Sequence, residues 1–390
     1  MKIVIAMDSF KGSLTSMEAG KAVAQGIQQV DPDSQIQICP LADGGEGTVE
    51  ALSMGPGGHL ENVRVRGPLG DEVDCCYGIL EGKHFNGGTE AGATAVIEMA
   101  AAAGLPLVPP KKRNPLHTST WGVGQIIRHA LGKGCRRFLI GLGGSATNDG
   151  GAGMLQALGF GLLNSQGEEI GPGALGLKEV AAIRTDHVFP ELADCIFRAA
   201  CDVENVLCGE QGCSAVFAPQ KGADPEMVRQ MDQWLGRYAD LVKETFPRAD
   251  SAMPGAGAAG GMGFAISACL GGKLEPGVKI VLEETGIEEY LKEADLIFTG
   301  EGRIDSQTAM GKAPAGLAAL AKKYRKPVVA LGGSVEEKLE TWQPENFDAV
   351  FPVLRRIVTL EEAMEKERAE RNLKETAAQV YKLWRVARGK

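Results

Sequence analysis

The chain predicts a discontinuous α/β protein: a doubly wound parallel sheet built from both ends, carrying a second α/β domain inserted between them. Two observations lead there. Residues up to about 53 read strand, helix, strand, helix, and residues after Glu293 return to that order while the stretch between them breaks it. Alternating β and α elements bury themselves as a parallel sheet with helices on its faces. The length of 390 residues also exceeds one average core and suits about two domains.

Each element has a local reason. Residues 2–7 form an apolar strand that ends at Asp8. Thr15-Ser16-Met17-Glu18 is a capping box, and Leu14, Met17, Val23, Ala24, Ile27 and Val30 fall near one face of the helix that it opens over 15–30. A second strand, 35–41, runs into Ala42-Asp43-Gly44-Gly45-Glu46-Gly47-Thr48, with a short helix after it. Beyond Gly55, residues 62–67 and 72–80 read as strands between Gly/Pro turns, as in a mixed or antiparallel sheet.

Helices return at 120–131 and 225–246. The second has Asp224 as N-cap, Pro225 in its first turn and a stripe of Val228, Met231, Leu235, Tyr238 and Val242. The closing part is a strand at 294–299, a helix at 313–324, strands at 327–331 and 349–353, and a helical tail opened by the Thr359–Glu362 capping box. The expected domains are therefore 1–60 with 285–390, and an insert over 61–284.

Composition narrows the function. A net charge of −9 disfavours nucleic acid and anionic membranes, which draw on basic surfaces, but permits a small anionic substrate held by a few local cations. Hydrophobic content of 44% suits packed interiors. The nine cysteines include no C-x-x-C and no zinc-like spacing with histidine, so reduced thiols and a cytoplasmic location are expected. The first apolar run is too short for a signal peptide, and no run of 18 apolar residues occurs.

Five apolar runs end in polar turns: at Asp8-Ser9, Asp43-Gly44-Gly45, Gly143-Gly144-Ser145, Cys201-Asp202 and Gly300-Glu301-Gly302. The carboxyl ends of strands in open α/β sheets face the ligand crevice, so these turns are expected to line a cleft where the two domains meet. An aspartate at such a turn also serves as a helix N-cap. The run Gly143-Gly144-Ser145-Ala146-Thr147-Asn148-Asp149-Gly150-Gly151 combines backbone donors, short hydroxyls and a carboxylate, suiting phosphate and metal together. The run Gly255-Ala256-Gly257-Ala258-Ala259-Gly260 matches G-x-G-x-x-G without a clear strand before it. It opens a helix toward a phosphate or merely permits close packing. Neither a Walker A sequence nor the kinase H-R-D and D-F-G motifs occur. Candidate cations are Lys11, Lys221, Arg303 and Lys312, each beside a glycine turn.

Several blocks occur together in one order: Asp8-Ser9-Phe10-Lys11-Gly12-Ser13-Leu14, Ala42 to Ala51, Ala95 to Ala100, Gly143 to Gly153, Ala200 to Val203, Pro254 to Gly263, Thr299 to Asp305 and Gly311-Lys312-Ala313-Pro314. With these the chain resembles the bacterial type-1 glycerate kinase family over essentially its whole length. The resemblance implies a flavodoxin-like domain with an inserted α/β domain, and ATP-dependent phosphorylation of D-glycerate to 2-phosphoglycerate. Three departures stand out: Met7 where the family usually has proline, Ala218 where glycine is common, and a longer hairpin at 87–93.

Phosphoryl transfer needs anion neutralisation, in-line placement and a proton acceptor. On that reading Gly143, Gly144, Ser145, Thr147, Gly255, Gly257 and Gly260 bind the ATP phosphates, with Asp149 or Asp43 near Mg²⁺. Lys11 neutralises the transferring group; Arg303 pairs with the glycerate carboxylate, and Ser9 and Lys221 complete the substrate set. Asp202 is the expected general base, with Asp43 its rival. A monomer or homodimer is expected. The competing readings are a kinase of another small hydroxy acid such as tartronate or erythronate, a silent metabolite sensor, and a nicotinamide-dependent dehydrogenase using the 255–260 glycines.

Overall fold

The structure is a computed structural model and describes residues 1–55, 57–81, 92–309, 312–336 and 347–389. It divides into two compact units, Met1–Asp43 with Val278–Lys390, and Gly44–Gly277.

The first unit holds a five-stranded sheet in the order Ala349–Pro352, Val328–Val335, Leu296–Ile304, Lys2–Met7, Gln35–Ile38, every pair parallel. Numbered along this unit, the order is 2-1-3-4-5, that of the flavodoxin-like doubly wound fold. Ile5 lies opposite Phe298 on one side and Ile38 on the other. Ile3, Ile5, Met7, Leu296 and Phe298 pack into a core with Val23 and Ile27 of helix Ser16–Val30 and Leu373 and Tyr381 of helix Lys366–Ala387. Their alternates Val4, Ile297 and Val328 are equally buried, so both faces are covered and the strands read as unbroken apolar runs. The expected capping boxes at Thr15 and Thr359 both form. The two long helices touch backbone to backbone: a Cβ at Gly26 would stand 2.2 Å from the Lys374 carbonyl oxygen.

The second unit contains a six-stranded mixed sheet in the order Lys273–Glu275, Ile196–Ala200, Cys135–Gly141, Ala93–Glu98, Glu72–Leu80, Gly58–Arg66. The pairings are parallel as far as Ala93–Glu98 and antiparallel beyond it. Helix Pro225–Thr245 starts at the expected Asp224 cap, whose carboxylate accepts the Met227 N–H at 2.8 Å.

The expected boundary near 60 falls instead at 43/44, and the one near 285 at 277/278. Helix Thr48–Ser53 explains the first difference. Its Val49 N–H donates to the Glu98 carboxylate at 2.9 Å, and Ser53 sits where a side chain on Gly78 would be, which ties the helix to the second sheet. A β-α pattern does not say against which sheet its helix is buried. The hairpin noted at 87–93 lies mostly outside the described residues. Among the described residues no helix is long and apolar enough to cross a membrane.

Candidate active site

In the first unit, the C-terminal ends of the strands open onto a pocket of about 430 Å³. Asp8 and Ser9 come from the end of the first strand, Asp43 from beyond the second, Glu301 and Arg303 from the long third strand, and Ser334 from the fourth. Lys11, Ser13, Asp305 and Lys312 add to the polar lining. Phe10, Val353, Leu354, Leu360 and Met364 form an apolar wall.

Asp8 is the most perturbed of these groups. Its side chain is buried, only 4% of the residue being exposed, and Oδ1 accepts the Ser9 N–H at 2.6 Å. Burial pushes its carboxyl up from 3.8 to about 7, with the charges of Asp43 and Glu301 adding to the rise; the Ser9 hydrogen bond and Lys11 act the other way. Burial also raises Glu301, whose Oε1 accepts the Thr308 hydroxyl at 2.7 Å and whose Oε2 lies 3.6 Å from Lys312 Nζ. Arg303 is largely exposed, with Nε 3.2 Å from Asp305 Oδ2. The Ser13 hydroxyl is buried without a partner among the described residues, a polar atom facing the demand for one.

Sequence reading had singled out Lys11, Asp43, Ser9 and Arg303, and all four line this pocket. It gives no chemical role to Asp8, Ser13 or Glu301, although the turns that hold Asp8 and Glu301 are among those expected to line the cleft. The compact Asp8-Ser9-Phe10-Lys11-Gly12-Ser13 turn was the available signal, because three of its polar residues besides Lys11 point chemistry at one place.

Lys312 lines the same pocket, and the remaining candidates belong to the second unit. Asp149, expected near metal, is completely buried and already saturated. Its Oδ2 accepts the Thr120 N–H and hydroxyl and the Gly153 N–H, and its Oδ1 accepts the Gly151 N–H, all within 3.3 Å. It is a structural clamp. Among the described residues no cluster of three or more His, Cys, Asp or Glu forms a metal cage.

Lys221, expected to hold substrate, is 2% exposed and donates to Ser145 Oγ at 2.9 Å and to the Thr147 carbonyl at 2.7 Å. Burial lowers its ammonium to about 8. It staples the glycine-rich loop, and it occupies the Ser145 hydroxyl that was expected to face phosphate. Thr147 is buried as well.

Gly255, Gly257 and Gly260 are buried too, so the packing alternative describes them better than phosphate binding. Gly260 has φ +69 and its N-terminal neighbour Ala259 φ +54; a Cβ on Gly260 would stand 2.1 Å from the Thr147 carbonyl oxygen. Of the whole glycine set, Gly143 and Gly144 reach solvent. Asp202 follows strand Ile196–Ala200, and its Oδ1 accepts the Gly277 N–H at 2.9 Å at the start of helix Gly277–Thr285.

Comparison with known proteins identifies the family. Residues 3–385 match the glycerate kinase family model. The chain belongs to the glycerate kinase family. It is 46% identical over 383 residues to a glycerate 2-kinase of Escherichia coli strain K12, covering 97% of this chain and 98% of that one. It is 45% identical over 376 residues to a glycerate kinase of Halalkalibacterium halodurans, covering 95% and 97%. A crystal structure described as glycerate kinase 2 from Salmonella typhimurium LT2 superposes with a TM-score of 0.88 at 46% identity, over 100% of this chain and 99% of the other.

Proposed function

We propose that the chain is a glycerate 2-kinase, transferring the γ-phosphoryl group of ATP to the 2-hydroxyl of D-glycerate, and that Asp8 is its general base. The observation that carries this reading is the convergence of a buried carboxyl, titrating near neutrality, with Lys11, Arg303 and Lys312 in one pocket. A base with a pKa close to the working pH takes up a proton most effectively. The planar fork of Arg303 grips the glycerate carboxylate, and the Ser9 and Ser13 hydroxyls orient the acid. Asp8 then accepts the proton of the 2-hydroxyl while that oxygen attacks the γ-phosphorus. The bond from phosphorus to the bridging oxygen breaks, ADP leaves with the electron pair, and Lys11 and Lys312 neutralise charge on the transferred group.

In the second unit, the exposed Gly143–Gly144 turn offers backbone donors of the kind that suit phosphate oxygens. Asp43, near enough to Asp8 for its charge to be felt there, is a carboxylate that suits a hard divalent cation keeping waters and phosphate oxygens as its other ligands. Asp43 would hold Mg²⁺, which when bound neutralises part of the triphosphate charge. Free thiols at all nine cysteines support a reducing, cytoplasmic setting. The enzyme works as a monomer or homodimer on small molecules.

The test is to incubate the protein with ATP, Mg²⁺ and D-glycerate and follow the product by phosphorus NMR. A 2-phosphoglycerate resonance together with stoichiometric ADP is expected. No turnover of glycerate, or faster turnover of tartronate or erythronate in a parallel panel, overturns the substrate assignment.

A further inference from the structure

We infer that the first unit carries a separate anion site, built from Arg355, Arg356, Arg368 and Arg371, that takes a phosphate or a small phosphomonoester. The four arginines line a cavity of about 300 Å³ at the junction of the 353–359 connector and helix Lys366–Ala387. One carboxylate, Glu375, shares that lining, and it is paired with Arg355. Arg368 donates through Nε to Glu365 at 3.1 Å. Arg356 and Arg371 have no ion pair or hydrogen bond among the described residues.

Cations gathered on a cavity with one carboxylate repel one another until an anion enters, and the planar arginine fork matches tetrahedral phosphate oxygens in a bidentate way. A lone carboxylate ligand would satisfy one fork; a phosphate offers oxygens to several. The cavity volume limits the occupant to a small molecule, and the chain's overall charge of −9 disfavours an extended polyanion. Leu354 and Asn372 line both this cavity and the Asp8 pocket, so the two sites share a wall. The site needs no assumption about catalysis. Only the choice of a phosphomonoester probe rests on the kinase reading.

The shared wall means that anion binding at the Asp8 pocket has to be silenced first. In the full-length Lys11→Gln/Arg303→Gln/Lys312→Gln protein, isothermal titration with inorganic phosphate and with 2-phosphoglycerate should still show one site, while unphosphorylated glycerate should give no heat. Adding Arg356→Gln and Arg371→Gln in that background should weaken binding at least tenfold. Both arginines are exposed, and an unchanged circular dichroism spectrum verifies folding. Tighter binding of 2-phosphoglycerate than of phosphate assigns the site to the product class, and equal binding assigns it to free phosphate. Loss of all binding in the pocket-silenced protein, or binding indifferent to the two further substitutions, overturns the inference. Failure of glycerate turnover in the unsubstituted protein, with this binding intact in the pocket-silenced one, would refute the kinase reading and leave the anion site standing.

Discussion

Replacing Asp8 by asparagine separates what its buried carboxylate costs the fold from what it contributes to the reaction. The carboxyl titrates at about 7 in the folded chain against 3.8 when unperturbed, chiefly because it is buried. Between those values the native state holds a proton that the unfolded chain has released. Stability therefore falls as pH rises from about 4 to 7, and it levels off above 7. A gap of roughly three pKa units corresponds to on the order of 4 kcal/mol. Asparagine keeps an oxygen for the Ser9 N–H and carries no charge to desolvate. Urea unfolding without nucleotide or Mg²⁺ should give nearly equal stabilities for wild type and Asp8→Asn near pH 4. At pH 8 the variant should be the more stable, by as much as about 4 kcal/mol. The same variant should lose about 10²–10⁴-fold in kcat, the usual worth of a positioned base. Parallel pH–stability curves for the two proteins, or a kcat within tenfold of wild type, would refute the reasoning.

Arg303→Ala should reduce kcat/KM for glycerate by about 10- to 100-fold, since a charged hydrogen bond contributes about 1.5–3 kcal/mol, and steady-state kinetics with glycerate varied checks this. Lys221→Met tests the staple: its folded pKa of about 8 lies below the unperturbed 10.5, so the native state binds fewer protons over that interval. Wild-type stability should consequently gain on the variant between pH 8 and 10.5, by on the order of 3 kcal/mol, and chemical denaturation at both pH values reads the difference. Gly260→Ala puts a methyl group 2.1 Å from the Thr147 carbonyl oxygen at a left-handed residue, and a loss of more than about 2 kcal/mol in urea unfolding is expected.

Much of the first unit was legible along the chain because its cues are local. A strand buried on both faces is an unbroken apolar run, as in residues 2–7, and a capping box such as Thr15–Glu18 marks a helix start within four residues. The similarity of the two ends pointed to one sheet, and strand pairing between Lys2–Met7 and Leu296–Ile304 realises it. Lys11, Asp43, Ser9 and Arg303 could be found in the same way, since turns at strand ends converge in any parallel sheet.

Roles that depend on burial were not readable from spacing. Asp149 and Asp8 both follow apolar runs and stand beside glycine or serine, yet one is saturated by four hydrogen bonds in a closed interior and the other lines an open pocket. Lys221 sits beside a glycine just as Lys11 does, and its loop folds inward onto Thr147. Charge, hydrogen bonding and solvent access are set by neighbours distant in the chain. A one-dimensional pattern can thus say where polar groups gather, while their ionisation and their work follow from what packs around them.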